Sequence, residues 1–178
     1  MKYFLVTGDS WIRTSIACTM IKYDLVHWFG KQVEIVNDLH ASDLTDPDIH
    51  DLMLGNSLKP HQKLSMILER RKTLMTDVIL PAMNDGKIVL YAGGILNDSQ
   101  FIKPEELSFH AILRENLEML QSIGGVAYPT GAIRTKTIHD SLPEQHAYHE
   151  RANLLASSVS RFKQATYHRW QDLSGLIS

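Results

Sequence analysis

What most constrains this chain is the alternation of short apolar runs with longer stretches whose apolar residues recur at helical spacing. Lys87 to Tyr91 (KIVLY) is the clearest buried strand. It follows a helical stripe of Leu64, Ile67, Leu68, Leu74, Met75, Val78 and Ile79 across His61 to Leu80. Tyr3 to Thr7 reads as another short buried strand and leads into a helix from about Thr14 to Phe29, which Gly30 is placed to stop. Gln32 to Val36 (QVEIV) alternates like a second strand. Pro81 to Gly86 adds a short turn of helix. Pro104 to Gln121 opens with Pro-Glu-Glu, which suits a helix N-terminus. Val126 to Tyr128 reads as a short strand and Glu144 to Phe162 as a further helix. Strands alternating with helices of these lengths predict an α/β domain, a central parallel sheet flanked by helices. Ligands of such sheets bind at the carboxyl ends of the strands, where Gly8 and Gly93 both fall.

No repeat, low-complexity tract or linker divides the 178 residues, which suit a single domain over 1–178. A net charge of -2 gives no global pull toward nucleic acid or a membrane surface. Cys18 is the lone cysteine, so neither an intrachain disulfide nor a cysteine metal cluster is expected. No signal-like core or membrane-length apolar run is present, and a reducing cytoplasm is the simplest expected setting. His139, His146 and His149 lack a carboxylate or cysteine to complete a recognised ligand pattern, so no metal site is expected of them. Trp11, Trp28 and Trp170 are read as core or interface residues.

The first strand runs into TGDSWIRTSI, Thr7 to Ile16, which has the frame of a phosphate-binding loop. Against G-x-x-x-x-G-K-[ST], Gly8 and Ser15 fit, but Arg13 stands at the second glycine and Thr14 at the lysine. The lysine supplies positive charge to a transferred phosphate, and Thr14 supplies one hydrogen bond and no charge. A Cβ at position 13 obstructs close backbone approach, although a guanidinium turned inward replaces part of the lost charge. Two readings stay open from the loop alone. It is a reworked cradle, or it is a plain strand-to-helix turn with Ser15 capping or solvated.

Several stretches together resemble the thymidylate kinase family of P-loop nucleoside monophosphate kinases. The strongest is ERRKTLMTDVILPAMNDGKIVLYAGGILNDSQF, Glu69 to Phe101. Within it Arg71, Val78, Ile79, Pro81, Ala82, Gly86 and the strand Ile88 to Tyr91 fall in the family's register without a gap. KYFLVTG resembles the family's first strand and loop, and HAYHERANLL, His146 to Leu155, resembles its helix after the lid. The family's final strand and helix have a counterpart only if Ala165 to Ile177 supplies a shortened one.

The resemblance implies a three-layer P-loop kinase-like fold and, in the family's manner, ATP with Mg²⁺ and a nucleoside monophosphate acceptor. It also implies which stations are altered. Where the family carries Asp-Arg after its third strand, this chain has Ala92 and Gly93. Where the family has Arg-Glu-Pro, the loop reads NDLHASD, in which Asp38 is a substitute carboxylate without the arginine. Arg71 matches the arginine that contacts the base, against the plainer reading of a salt bridge or a solvated helix face. Asn97 and Gln100 fall in the segment near the acceptor nucleotide, and Arg134 opens a short lid-like segment at about 134–145. The expected nucleotide-binding set is therefore Gly8, Arg13, Thr14, Ser15, Arg71, Asn97, Gln100 and Arg134, with no catalytic residue assigned.

Three altered stations favour a nucleotide-binding descendant, a pseudokinase with a degenerate Walker A loop and impaired or absent phosphoryl transfer. The alternatives are an active, noncanonical deoxynucleoside monophosphate kinase and a kinase-fold interaction module with a protein partner. A nucleoside mono- or triphosphate is the expected ligand. The family's habit and the Leu64 to Ile79 stripe predict a homodimer. A compact, divergent kinase of this kind suits a viral genome.

Overall fold

A computed structural model describes residues 2–7, 11–38, 57–94, 102, 106–124, 129–135 and 163–167; for 11–13, 109, 134–135 and 163–167 it describes the backbone alone. The sheet is built from β1 (Lys2–Thr7), β2 (Val33–Asn37), β3 (Ile88–Ala92), β4 (Gly131–Thr135) and β5 (Lys163–Tyr167). The order is β2-β3-β1-β4-β5 and every pairing is parallel. All the carboxyl ends therefore lie along one edge, with Asn37 in register with Ala92 and Thr7 with Arg134.

Alternation along β1 assigns the two faces. Phe4 and Val6 join Cys18, Ile21 and Leu25 of helix α1 (Trp11–Phe29) in one core. Tyr3 and Leu5 point the other way, into a second core with helices α2 (Pro60–Leu74) and α4 (Phe109–Ile123). Parallel strands buried on both faces need apolar residues at consecutive positions, which explains why all of IVLYA in β3 is buried.

Local signals set the helix ends. Gly30, at φ 60°, closes α1: its N–H donates to the Val26 carbonyl at 3.1 Å and the Lys31 N–H to that of Leu25 at 3.1 Å. Pro60 opens α2, and the Gln62 side chain accepts from the Lys59 N–H at 3.0 Å. Ser108 caps α4 by accepting from the Ala111 N–H at 3.3 Å. Between α2 and the short α3 (Leu80–Asn84) runs a π-helical turn, Met75–Ile79. Buried residues fall at every fourth position here, Ile67, Arg71, Met75, Ile79 and Met83. Such a stripe creeps around a 3.6-residue helix, and one wider turn brings it back toward the sheet. The π turn also lies just ahead of Pro81, which has no N–H to offer the ladder.

Several expected boundaries shift. The strand expected at Val126 to Tyr128 falls on residues outside the description, and β4 instead occupies Gly131–Thr135. Its GAIRT sequence carries a glycine, an arginine and a threonine, which hides it from an apolar-run reading. The last strand is Lys163–Tyr167, starting two residues ahead of the Ala165 expected. The helix expected at Glu144 to Phe162, the lid-like segment beyond Thr135, and His139, His146, His149 and Trp170 all lie outside the described residues. Trp28 is not a core residue: it is 57% exposed and sits edge-on to His27. Among the described residues no helix is long and apolar enough to cross a membrane.

Candidate functional site

The carboxyl edge brings together the ends of β1, β2 and β3, and its centre is a buried ion pair between Asp38 and Arg71. Asp38 directly follows β2, where its N–H donates to the Ala92 carbonyl at 3.4 Å. Arg71 reaches it from the sheet-facing side of α2. Nη2 donates to Oδ2 at 2.8 Å, while Nε lies 3.3 and 3.4 Å from the two carboxylate oxygens. The same Nη2 donates to the Gly94 carbonyl at 2.9 Å, and Nη1 donates to Asn116 Oδ1 of α4 at 3.1 Å. Asn116 is itself oriented by donating to the Ile112 carbonyl at 2.9 Å.

Asp38 gathers more than the arginine. The Tyr91 hydroxyl and the Gly94 N–H, the latter at 3.1 Å, also donate to its carboxylate, and Arg70 Nε donates to its backbone carbonyl. The group is nearly sealed, with Arg71 2%, Tyr91 2%, Asn116 4% and Asp38 7% exposed. A charge this deep is tolerated only when paired and hydrogen-bonded, and this network meets that condition. Burial, reinforced by the Asp38 carboxylate and partly offset by Arg71, pushes the Tyr91 phenol well above its usual range. Tyr91 is therefore a firm donor. Tyr3 is raised by burial alone.

The two glycines after β3 have separate reasons to be glycine. Gly94 stands at φ 81°, and a Cβ there would also meet Leu5 Cδ2 at 2.9 Å. At Gly93 a Cβ would lie 2.5 Å from Asp38 Cγ and 2.6 Å from Tyr91 Cε2. A seated Asp38 and a side chain at position 93 exclude one another. Beside the network lies a cavity of about 30 Å³, lined by Leu5, Met75, Leu113 and Leu120 together with Arg71 and Asn116. That exceeds the roughly 10–15 Å³ a single water needs.

The rest of the expected set is dispersed or outside the description. Ser15 is half-buried on α1 and donates to Asn37 Oδ1 at 3.0 Å, bridging α1 to the end of β2. Thr14 is fully buried on the same helix. Arg13 lies in the first turn of α1 and Arg134 on β4 beside Thr7, each described by backbone alone. Gly8, Asn97 and Gln100 lie outside the described residues. Of the set's described side chains, Arg71 enters the network and Thr14 and Ser15 do not, while Asp38, weighed as a stand-in carboxylate, becomes its hub. Tyr91 and Asn116 were missed. Tyr91 reads as one more buried strand residue, and Asn116 as an ordinary polar position on a helix.

Mg²⁺ requires oxygen ligands, and the family's acidic position is Ala92 here. Among the described residues no group of three or more His, Cys, Asp or Glu side chains could hold a metal ion. The end of β3, Ala92 with Gly93 after it, offers no side-chain oxygen to a magnesium ion.

No protein-family model and no curated protein sequence matches the chain. Its fold has solved counterparts. The thymidylate kinase from Ehrlichia chaffeensis aligns over 94% of this chain and 88% of its own length, with a TM-score of 0.61 and 14% sequence identity. The fold is thus three-layer α/β and P-loop kinase-like, with a parallel sheet between helical layers. Within that class the backbone follows the thymidylate kinase pattern, at an identity that carries fold and nothing finer.

Proposed function

We propose that this chain is a nucleotide-binding descendant of the thymidylate-kinase fold in which phosphoryl transfer is impaired or absent. One observation carries the reading. The side chains that kinase chemistry would need free at the carboxyl edge are replaced or engaged with the protein itself. Thr14, at the lysine position, is buried; β3 ends in Ala92 and is followed by Gly93, which bring no charge; and Arg71 is closed on Asp38. Phosphoryl transfer depends on a set of positioned charges, and removal of several members together leaves little of the effect.

Binding is a weaker demand than transfer. Ligands of open parallel sheets bind beyond the carboxyl ends of the strands. Gly8, Arg13, Ser15, Asn97, Gln100 and Arg134, which flank that edge in sequence, are the proposed contacts to a nucleoside mono- or triphosphate; Thr14, expected among them, is fully buried on α1. Arg71 joins them only if Asp38 releases it. A thermal-shift screen of nucleoside mono- and triphosphates, with and without magnesium, tests the reading, because a ligand held only by the folded state raises its melting temperature. Stabilisation by a monophosphate without ATP-dependent dTMP phosphorylation is the expected result. Robust dTMP phosphorylation by the unmodified protein would overturn it in favour of an active, noncanonical kinase.

A second reading, an interaction module on a kinase fold, is favoured by α1. That helix buries Ala17, Cys18, Ile21 and Leu25 yet leaves Ile16, Met20, Tyr23, Val26 and Trp28 between 47% and 64% exposed. The Leu64 to Ile79 stripe, by contrast, sends Leu64, Ile67, Met75 and Ile79 into the chain's own core. A homodimer or protein partner is thus better sought on α1 than on α2. No response to any nucleotide, with self-association through α1, is the outcome that selects this reading.

A further inference from the structure

Asp38 occupies a cradle that resembles an oxyanion site. A guanidinium fork, a phenol hydroxyl and the Gly94 backbone N–H converge on a single carboxylate. Planar forks and backbone amides are the donors that recognise carboxylate and phosphate oxygens, and charge-assisted bonds of this kind are the strong ones. The space is shaped to Asp38 as well, since Gly93 leaves open the volume where the carboxylate carbon sits.

The geometry points to Asp38 as an internal occupant of an oxyanion site, a carboxylate that competes with an external phosphate or carboxylate group for Arg71, Tyr91 and Gly94. This rests on the nucleotide-binding reading only in supposing that the external anion can belong to a nucleotide; the cradle itself stands on the hydrogen bonds. It also gives the loss of a side chain at position 93 a cause. While Asp38 is seated, nothing larger than glycine fits there. The site is thereby self-inhibited: an anion gains Arg71 only by displacing a covalently attached competitor of high effective concentration.

Asp38→Ala empties the cradle without touching its donors, so the test is rescue by an added anion. The melting temperature of Asp38→Ala is measured against sodium formate, inorganic phosphate and dTMP, with wild type and Asp38→Ala/Arg71→Met as references. A saturable rise of about 3–5 °C is expected for the single variant at roughly ten times the dissociation constant of formate or phosphate. No comparable rise is expected in wild type or in the double variant. If the single variant folds only when formate or phosphate is present, refolding yield replaces the melt and supports the proposal equally.

Failure of either anion to stabilise or refold Asp38→Ala beyond wild type overturns the proposal. Tyr91→Phe supplies an independent arm. It loosens the carboxylate by one donor, and a weaker but measurable phosphate response than that of Asp38→Ala is expected, with none in wild type. The two readings separate cleanly. Rescue by formate and phosphate without any dTMP binding keeps the internal occupant and removes the nucleotide. Equal dTMP stabilisation of wild type and Asp38→Ala, with no response of the variant to formate or phosphate, keeps the nucleotide and removes the occupant.

Discussion

At the corner where β2 and β3 end, one carboxylate gathers an arginine fork, a phenol and a backbone amide, all nearly sealed from water. At the neighbouring corner, where β1 leads to α1, half-buried Ser15 donates to Asn37 at 3.0 Å. The second corner carries the phosphate-loop frame in sequence, and the first carries Arg71, marked by its register with Pro81. Loop likeness and energetic weight are therefore separated among the described residues. The frame between β1 and α1 contributes one neutral hydrogen bond, while the charged interactions gather around Asp38, which no apolar run or phosphate-loop pattern singles out.

The comparison breaks most sharply at Arg71. Arg71→Met keeps much of the side-chain volume but leaves Asp38 buried without its counter-charge. Removing one partner of a buried pair typically costs about 3–5 kcal/mol, so this change is expected to be the most damaging. Denaturant unfolding should show a lower midpoint with an unchanged slope. A loss below about 1 kcal/mol, the range of exposed ion pairs, would place Arg71 in the class of solvated helix arginines.

Tyr91→Phe comes next. It removes one donor from a buried carboxylate, and a loss of about 1–3 kcal/mol is expected near neutral pH. The pH dependence has a definite sign. A phenol whose folded pKa is raised contributes stability that is complete below its ordinary value near 10.0 and falls as pH climbs toward the raised value. Cys18, pushed up to about 12 by burial, acts in the same direction. Wild type should therefore lose stability steeply on the alkaline side, and Tyr91→Phe should lose it less steeply. Parallel alkaline limbs for the two proteins would show that Tyr91 is not the titrating group.

The sheet was largely legible in the sequence because parallel strands buried on both faces must be apolar at successive positions, as FLV in β1 and IVLY in β3 are. Strand β4 and the edge strand β5 were not read at their true places, since GAIRT and KQATY break that pattern with polar residues. The candidate site was only half legible. Arg71 stood out through its register with Pro81, and Asp38 through its place after β2. Their pairing spans 33 residues of sequence and depends on how α2 rolls against the sheet. The π turn, which no apolar count announces, lies in that same helical rod. Asn116 could have been suspected as a polar residue on the inner side of α4, near Ile112 and Leu113. Its exposed alternative fits the same spacing equally well.

Ser15→Ala is the corresponding test at the lighter corner. It removes a hydroxyl that is partly open to solvent, so a loss of about 0.5–1.5 kcal/mol is expected, the ordinary value of one neutral hydrogen bond. A loss rivalling that of Arg71→Met would erase the contrast between the corners. If the hydroxyl serves only to join α1 to β2, monophosphate affinity should stay within about two-fold, far below the tenfold that 1.4 kcal/mol represents.

The smallest effect on stability is expected outside both corners, on the outer face of α1. Ile16, Met20 and Tyr23 recur at helical spacing, with Val26 beside them, and Tyr23 stacks on His27 with ring centroids 5.4 Å apart. These side chains touch little of the core, which α1 fills from its opposite side with Cys18, Ile21 and Leu25. Tyr23→Glu should therefore move the unfolding midpoint by no more than about 0.5 kcal/mol, as surface changes usually do. Its effect on association is expected to be of another order. A charge placed in the middle of an apolar contact must be desolvated without a partner, and interfaces exclude that arrangement from their cores. Sedimentation velocity over a concentration series reads the difference directly: wild type should show a concentration-dependent increase that Tyr23→Glu abolishes, while Met66→Glu on α2, at a position 37% exposed, should leave it in place. Loss of association in the α2 variant with retention in the α1 variant would return the interface to the helix whose stripe first suggested one. Equal loss in both would require a contact broad enough to span both layers, and the two faces of the sheet would then no longer divide into one that packs inward and one that also meets a partner.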